Sequence, residues 1–147
     1  MARLGFRAAH AGLRVWWFVR RPHTQGVKCI IGDGERVIFV RHTYGDRSAW
    51  ELPGGGVRRG EPPEATVRRE MREELGLELD DLRAAGAIEV GGRGKRTLLH
   101  CFVARASTTD LRLARAEIAE ARWAPVTAPP RPLGPHAASV LDLLPRA

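Results

Sequence analysis

The segment between Pro62 and Leu77 constrains the fold of this chain more than any other stretch. Proline suits the first turn of a helix because no internal hydrogen bond is lost there, and glycine suits a left-handed end. We therefore predict a helix from Pro63 to Leu75 that stops at Gly76. Apolar residues recur on one face of that helix and should pack into a core. This apolar stripe consists of Val67, Met71 and Leu75.

A second face of the same predicted helix carries three carboxylates. Glu70, Glu73 and Glu74 stand at positions i, i+3 and i+4, so they share one side of the helix. Two carboxylates about 4 Å apart repel each other by about 4 kcal/mol at an effective dielectric of about 20. Divalent ions that prefer oxygen ligands, Mg²⁺ or Mn²⁺, would neutralise such a cluster. The pattern therefore predicts a metal site, and a solvated helix whose arginines pair with the glutamates is the competing interpretation.

The spacing of this segment resembles the Nudix box, G-x5-E-x7-R-E-U-x-E-E-x-G-U, in which U is aliphatic. Every fixed position of that pattern is filled between Gly55 and Leu77, and the preceding Trp50–Gly56 stretch also resembles the usual approach to the box. The resemblance implies a pyrophosphate hydrolase that acts on a nucleoside diphosphate linked to another group. It also implies an α/β fold, the Nudix α/β/α sandwich with a mixed sheet.

The family resemblance assigns roles to the box residues. It implies that Glu70, Glu73 and Glu74, together with the carbonyl of Gly54, bind Mg²⁺, with Mn²⁺ as its substitute. We expect Arg69 to support catalysis by holding a carboxylate in place, because it stands four residues before Glu73. Glu61 is expected to stabilise the start of the helix or to bond back to the loop.

A further glutamate is expected from outside the box. The Glu117–Trp123 stretch resembles the segment that carries it in many family members, and Glu117 fits better by its distance from the tryptophan than Glu120 does. Glu117 is therefore a candidate metal ligand or general base. A surface carboxylate is the alternative, and the choice between Glu70 and Glu117 as the base stays open.

Substrate recognition is less constrained. Arg41, Tyr44 and Trp50 precede the box, where aromatic rings can stack on a base and an arginine can bind phosphate. Trp50 is equally suited to the core. Residues 93–96 form a basic, glycine-flanked loop that either holds phosphate or is a surface hairpin tip. Neither the proline nor the tyrosine that announces particular subfamilies occurs at 91–95, so nucleotide sugars, dinucleotides and (d)NTPs all remain possible substrates.

The composition fits one soluble domain of 147 residues with a formal charge of +7, in which 22 of the 24 basic residues are arginine. A basic surface favours polyanions, although a biased genome explains the arginine usage equally well. Residues 1–24 are predicted to form a basic amphipathic helix that packs on the Nudix domain of residues 25–147, forms a homodimer contact, or binds a membrane surface or nucleic acid. We expect Cys29 and Cys101 to be buried free thiols and the protein to be cytoplasmic.

The remaining segments alternate between strand-like and turn-like sequence. The Asp33-Gly34 pair predicts a hairpin, and a proline-rich stretch precedes a closing helix at 136–144. A regulatory or nucleic-acid-binding module without catalysis is the main alternative function, although such modules commonly lose box glutamates. Isomerisation of an isoprenoid diphosphate is a third. The predicted strands are 27–31, 36–41, 50–52, 87–90, 97–105 and 121–125.

Overall fold

A computed structural model describes residues 23–91, 94 and 96–144 of the chain. Six strands form one sheet in the order β4-β5-β1-β2-β6, with β3 paired to β1. β1 and β5 are parallel and the other pairs are antiparallel, which confirms the predicted mixed sheet. The elements are β1 His23–Gly32, β2 Arg36–His42, β3 Gly54–Gly56, α1 Pro63–Leu75, β4 Leu79–Val90, β5 Arg96–Ala106, β6 Ile118–Pro125 and α2 Pro135–Leu141.

The hairpin predicted around Asp33 connects β1 to β2. Gly34 has a φ of 123°, a value that few side chains tolerate, and the Asp33 carboxylate accepts a hydrogen bond of 3.1 Å from the backbone of Arg36. The two strands pair near the turn and then diverge. β3 and the bridged residue Glu51 occupy the gap between them, because β3 pairs with β1 whereas Glu51 bridges to Val40 of β2.

The box helix α1 has the bounds predicted for it. Its last turn ends at Gly76, which has a φ of 67° and donates to the carbonyl of Arg72 at 3.1 Å. Val67, Met71 and Leu75 are fully buried, so the predicted apolar stripe does face the core. Glu70 and Glu74 lie on the flank of the helix beside this stripe and are also buried.

Each face of the sheet has its own apolar core. The stripe of α1 packs against Val27, Ile31 and Val40 on one face. On the other face, α2 contributes Ala137 and Val140 to a second cluster. The helices therefore flank the sheet on both sides, as the α/β/α expectation requires.

Several boundaries differ from the sequence-based expectation. Residues 50–52 make only isolated bridges, and the strand forms instead at Gly54–Gly56, because β1 offers its free edge there. β4 begins at Leu79, eight residues before the predicted start, and α2 ends at Leu141 rather than at residue 144. No helix within the described ranges is both long and apolar enough to cross a membrane.

The predicted N-terminal helix of residues 1–24 falls almost entirely outside the described residues, so its role stays a prediction. Cys29 and Cys101 are both buried and free within the described part of the chain, as expected.

Candidate active site

Two glycines bring the main chain close to the box helix. A Cβ atom on Gly55 would lie 2.4 Å from Cδ of Glu70, and one on Gly54 would lie 2.0 Å from the carbonyl oxygen of Val27. No side chain larger than hydrogen fits at either place without a shift of the backbone or of Glu70. Residues 52–56, which we call the glycine turn, therefore lie in close contact with both β1 and α1, directly beside the glutamate face.

Arg69 organises the outer part of the site with Glu61 and Thr66, a group we call the outer cluster. Its Nε and Nη2 atoms each donate to a different oxygen of Glu61, both at 2.8 Å. The Thr66 hydroxyl adds a hydrogen bond of 2.7 Å to the same carboxylate. Hydrogen bonds from Arg69 hold the pKa of Glu61 at about 2, well below its usual value. In the outer cluster, both carboxylate oxygens of Glu61 thus accept hydrogen bonds.

Arg69 also reaches the box carboxylates and the glycine turn. Its Nη1 donates to Glu70 Oε1 at 2.7 Å and to Glu73 Oε2 at 3.3 Å, and Nη2 donates to the Gly56 carbonyl at 3.3 Å. The predicted contact with Glu73 exists, but the contacts with Glu61 and Glu70 are shorter. Glu61 also accepts from the backbone of Arg58 at 3.3 Å, so it bonds back to the loop as expected.

Three carboxylates, which we call the inner carboxylates, lie buried beyond Arg69. Glu70, Glu74 and Glu117 are 3%, 4% and 6% exposed. Oε2 of Glu74 is buried and has no hydrogen-bond partner among the described residues. Burial raises the pKa of Glu74 well above its usual value, and the charges of Glu70 and Glu117 raise it further. Arg69 reaches Glu70 among these three, whereas Glu74 lies deeper, among the charges of its two carboxylate neighbours.

Glu117 reaches the site because its loop is tied to the end of α1. The backbone of Ala114 donates to the Glu74 carbonyl at 2.9 Å, and Glu117 donates to the Ala114 carbonyl at 2.9 Å. Thr43 of the neighbouring loop donates to the Glu117 carbonyl at 3.0 Å. Orphan carbonyls at the helix end thereby place a distant glutamate beside the box. Glu120, the other candidate, lies on β6 and pairs with Arg41 instead.

Glu73 lies at the rim. Its side chain is 39% exposed, 4.0 Å from Arg58 and 3.3 Å from Arg69. Of the three box glutamates, it is therefore the one that solvent reaches most easily.

The inner carboxylates suit a divalent cation by their chemistry. All supply hard oxygen atoms, and Glu74 keeps one buried oxygen with no hydrogen-bond partner in the described ranges. In those ranges, no three His, Cys, Asp or Glu side chains are already arranged so that they could bind one metal ion. Arg69 holds Glu70, so binding of a metal by all three carboxylates requires a rearrangement of these side chains. The chemistry of the inner carboxylates therefore suits a divalent cation. The role of the Gly54 carbonyl as a metal ligand stays a prediction.

The residues predicted to contact substrate are in different environments. Trp50 is only 5% exposed and lies in the second core, with the guanidinium carbons of Arg41 and Arg122 at 5.2 and 4.7 Å from its ring. This arrangement favours the core role rather than stacking on a base. Arg41 is engaged by Glu120, whereas Tyr44 is partly exposed with its ring 4.8 Å from that of His42.

The loop at 93–96 is described only at positions 94 and 96, and Arg96 is exposed at the start of β5.

Sequence reasoning missed Lys28, which lies behind the glycine turn. Its Nζ donates to the Leu52 carbonyl at 3.0 Å, and burial lowers the pKa of this amine. The pKa of His42 nearby is lowered to about 4 by burial and by the charge of Lys28, so that ring is neutral at physiological pH. The available signal was that Lys28 is one of only two lysines in an arginine-rich chain.

Comparison with known proteins places these features in a family. The NUDIX domain profile matches residues 22–144. A MutT NUDIX hydrolase from Burkholderia pseudomallei has the same fold, with a TM-score of 0.77 and 23% identity over 84% of this chain and 98% of that one.

Two curated relatives match around a third of the chain. RNA pyrophosphohydrolase from Rhodospirillum rubrum is 38% identical over 55 residues, 37% of this chain and 33% of the relative. ADP-ribose pyrophosphatase from Mycobacterium tuberculosis is 59% identical over 48 residues, 32% of this chain and 23% of the relative. The matches therefore span a third or less of these relatives. Enzymes of the family generally use a divalent metal, and by its domain match this chain belongs to the Nudix family.

Proposed function

We propose that this chain is a divalent-metal-dependent hydrolase that cleaves a pyrophosphate linkage in a nucleoside diphosphate derivative or a nucleotide. The relatives named RNA pyrophosphohydrolase and ADP-ribose pyrophosphatase support this reaction class. The observation that carries the proposal is the buried, unpartnered oxygen of Glu74 between Glu70 and Glu117 in the described structure. Mg²⁺ is the proposed ion, and Mn²⁺ its substitute.

A divalent ion bound there would polarise the phosphate oxygens and lower the pKa of a coordinated water. Glu70 and Glu74 would bind it from α1, and Glu73 from the rim. Arg69 fixes the orientation of Glu70 through the 2.7 Å hydrogen bond. Its bidentate pair with Glu61 holds the guanidinium itself in place.

Glu117 is proposed as the general base. It comes from a separate loop and faces the inner end of the site, whereas Glu70 is tied to Arg69. A carboxylate in such a place can accept a proton from water as that water attacks phosphorus. Thr43 and Ala114 fix the backbone on either side of Glu117, so the carboxylate needs little reorganisation.

The test is hydrolysis of a panel of nucleotide sugars, dinucleotides, (d)NTPs and 5′-triphosphorylated RNA, followed by release of phosphate or pyrophosphate. We expect turnover of at least one class with millimolar Mg²⁺ or Mn²⁺, and its loss in EDTA. Hydrolysis that persists in EDTA would contradict the metal-dependent mechanism. Absence of turnover across the panel, together with tight binding of RNA, would favour a non-catalytic module.

Glu74→Gln with Glu64→Gln as its control ties the activity to the site. Glu64 is an exposed acid in the first turn of the same helix. We expect Glu74→Gln to fold and to lower turnover at least about 100-fold, because it removes a charged ligand. Glu64→Gln should retain wild-type turnover. Equal activity of the two variants would refute the role of Glu74.

A further inference from the structure

Lys28 contacts the glycine turn in three ways, and its neighbour adds a fourth. Its Nζ donates to the Leu52 carbonyl at 3.0 Å, and it pairs in register with Gly54 across the β1–β3 ladder. Its stem lies against that glycine, since a Cβ atom on Gly54 would be 2.9 Å from Cδ of Lys28. The next residue, Cys29, donates its backbone N–H to the Pro53 carbonyl at 2.9 Å. β1 therefore holds the turn at three consecutive residues.

The other side of the same turn presses on the box helix. Gly55 approaches Glu70 so closely that an added Cβ atom would lie 2.4 Å from Cδ of the glutamate. The turn thus separates Lys28 from Glu70 with no spare room. A displacement of the turn towards α1 would therefore push on the Glu70 carboxylate.

Lys28 also provides positive charge on the inner side of the site. It interacts electrostatically with Glu51 and Glu74. Within the described residues, each of these two carboxylates has a buried Oε2 atom without a hydrogen-bond partner. A compact ammonium can offset both while it donates to a backbone carbonyl, whereas the planar fork of an arginine is larger.

We propose that Lys28 is a positioning residue for the metal-binding carboxylates: it fixes the 52–55 turn against Glu70. The inference rests on the proposed function, since it presupposes a divalent ion. Charge and position act in opposite directions on metal affinity. The positive charge of Lys28 repels a bound metal, whereas a fixed turn keeps the metal ligands in place. Because Lys28 is hydrogen-bonded directly to the turn at Leu52, we expect the effect on the ligands to be the larger one.

Lys28→Met tests this because methionine keeps an unbranched apolar stem and removes the ammonium. Binding of Mn²⁺ is measured from the electron paramagnetic resonance signal of the free ion, and thermal unfolding is followed in parallel. We expect the dissociation constant for Mn²⁺ to rise about tenfold, as for the loss of other residues that orient metal ligands. Arg83→Met, at an exposed basic position of β4, is the control and should bind Mn²⁺ like the wild type.

Each outcome decides the inference. If Lys28→Met unfolds at a lower temperature but binds Mn²⁺ as tightly as the wild type, Lys28 is merely structural. Tighter binding would show that repulsion between Lys28 and the metal outweighs the hold of Lys28 on the turn, and this also overturns the proposal. If Lys28→Met does not fold, Lys28→Arg should bind Mn²⁺ several-fold more weakly, because its head cannot make the same contact with Leu52. Wild-type affinity in Lys28→Arg would then be the contrary result.

The experiment also separates this inference from the proposed function. A wild-type protein that binds no Mn²⁺ would overturn both. A wild-type protein that binds Mn²⁺, with no weakening in the lysine variants, would overturn only the role of Lys28.

Discussion

The outer cluster and the inner carboxylates meet at the same helix, α1, yet have opposite electrostatics. In the outer cluster, Arg69 satisfies both oxygens of Glu61, and the pKa of that carboxyl falls to about 2. At the inner end, burial among like charges raises the pKa of Glu74, and one of its oxygens lacks a hydrogen-bond partner in the described structure. One region stabilises the fold, whereas the other carries a cost that a bound cation would offset.

This difference explains how a helix can carry so many carboxylates. Arg69 connects the two regions through its ion pair with Glu70. The fully hydrogen-bonded outer cluster therefore holds the inner carboxylates in place. The helix can tolerate the electrostatic cost of the inner carboxylates because α1 also buries its apolar stripe in the core. Functional sites are where such local cost is expected.

The largest expected effect comes from removing the support. Arg69→Met removes the ion pairs with Glu61 and Glu70 in a site where the Arg69 side chain is 14% exposed, so we expect a loss of about 3 kcal/mol in the free energy of unfolding. Arg72→Met, which loses only an exposed pair with Glu78, should change it by less than about 1 kcal/mol. Urea unfolding measures both. Equal effects of the two variants would break the distinction between a supporting arginine and a surface one.

The next effect concerns catalysis at the inner end. Glu117→Gln should lower turnover about 100-fold, because a general base contributes a factor of this order. Glu120→Gln, three residues later and paired with Arg41 away from the inner carboxylates, should retain most of the activity. Steady-state kinetics with Mg²⁺ measure both variants. A larger loss in Glu120→Gln would reassign the extra glutamate.

The two regions should also give opposite slopes of stability with pH in EDTA. The lowered pKa of Glu61 contributes stability that is present above about 4.5 and lost as the pH falls towards 2. The lowered pKa of His42 acts in the same direction, from about 6.5 down to about 4. The raised pKa of Glu74 does the reverse: its contribution is present below about 4.5 and lost as the pH rises through the folded-state pKa.

Variants separate these two slopes in urea unfolding at several pH values. Glu61→Gln should flatten the acidic limb of the stability curve, and Glu74→Gln should flatten the limb at higher pH. Glu64→Gln, at an exposed position, should leave both limbs as they are in the wild type. If Glu74→Gln is instead less stable than the wild type at pH 8, the inner end is not strained.

The parts of the fold that local sequence determines were predictable. The bounds of α1 follow from its prolines, its apolar stripe and Gly76, all within one segment. The hairpin follows from Asp33 and Gly34. β3 could not be predicted, because three consecutive glycines favour no strand and their pairing is imposed by β1. The early part of β4 was missed because two register shifts and the positive φ of Asp81 interrupt its alternation.

The candidate site shows the same limit. The positions of the box glutamates on one face follow from helical spacing, but the bidentate pair of Arg69 with Glu61 spans a turn and a helix start. The burial of Glu117 depends on a loop bound to the end of α1. Lys28 carries no motif at all, and only the fold places its ammonium behind the glycine turn. Contacts between distant segments are what the sequence alone does not reveal.

The most direct test of the central claim is the thermal unfolding of the wild type and of Glu74→Gln at pH 8, with and without Mg²⁺. Without metal, Glu74→Gln should unfold at a higher temperature than the wild type, since it removes a buried charge among like charges. Added Mg²⁺ should raise the unfolding temperature of the wild type and leave that of Glu74→Gln almost unchanged. Equal stabilisation of both proteins by Mg²⁺ would contradict the assignment of the inner carboxylates as the metal site.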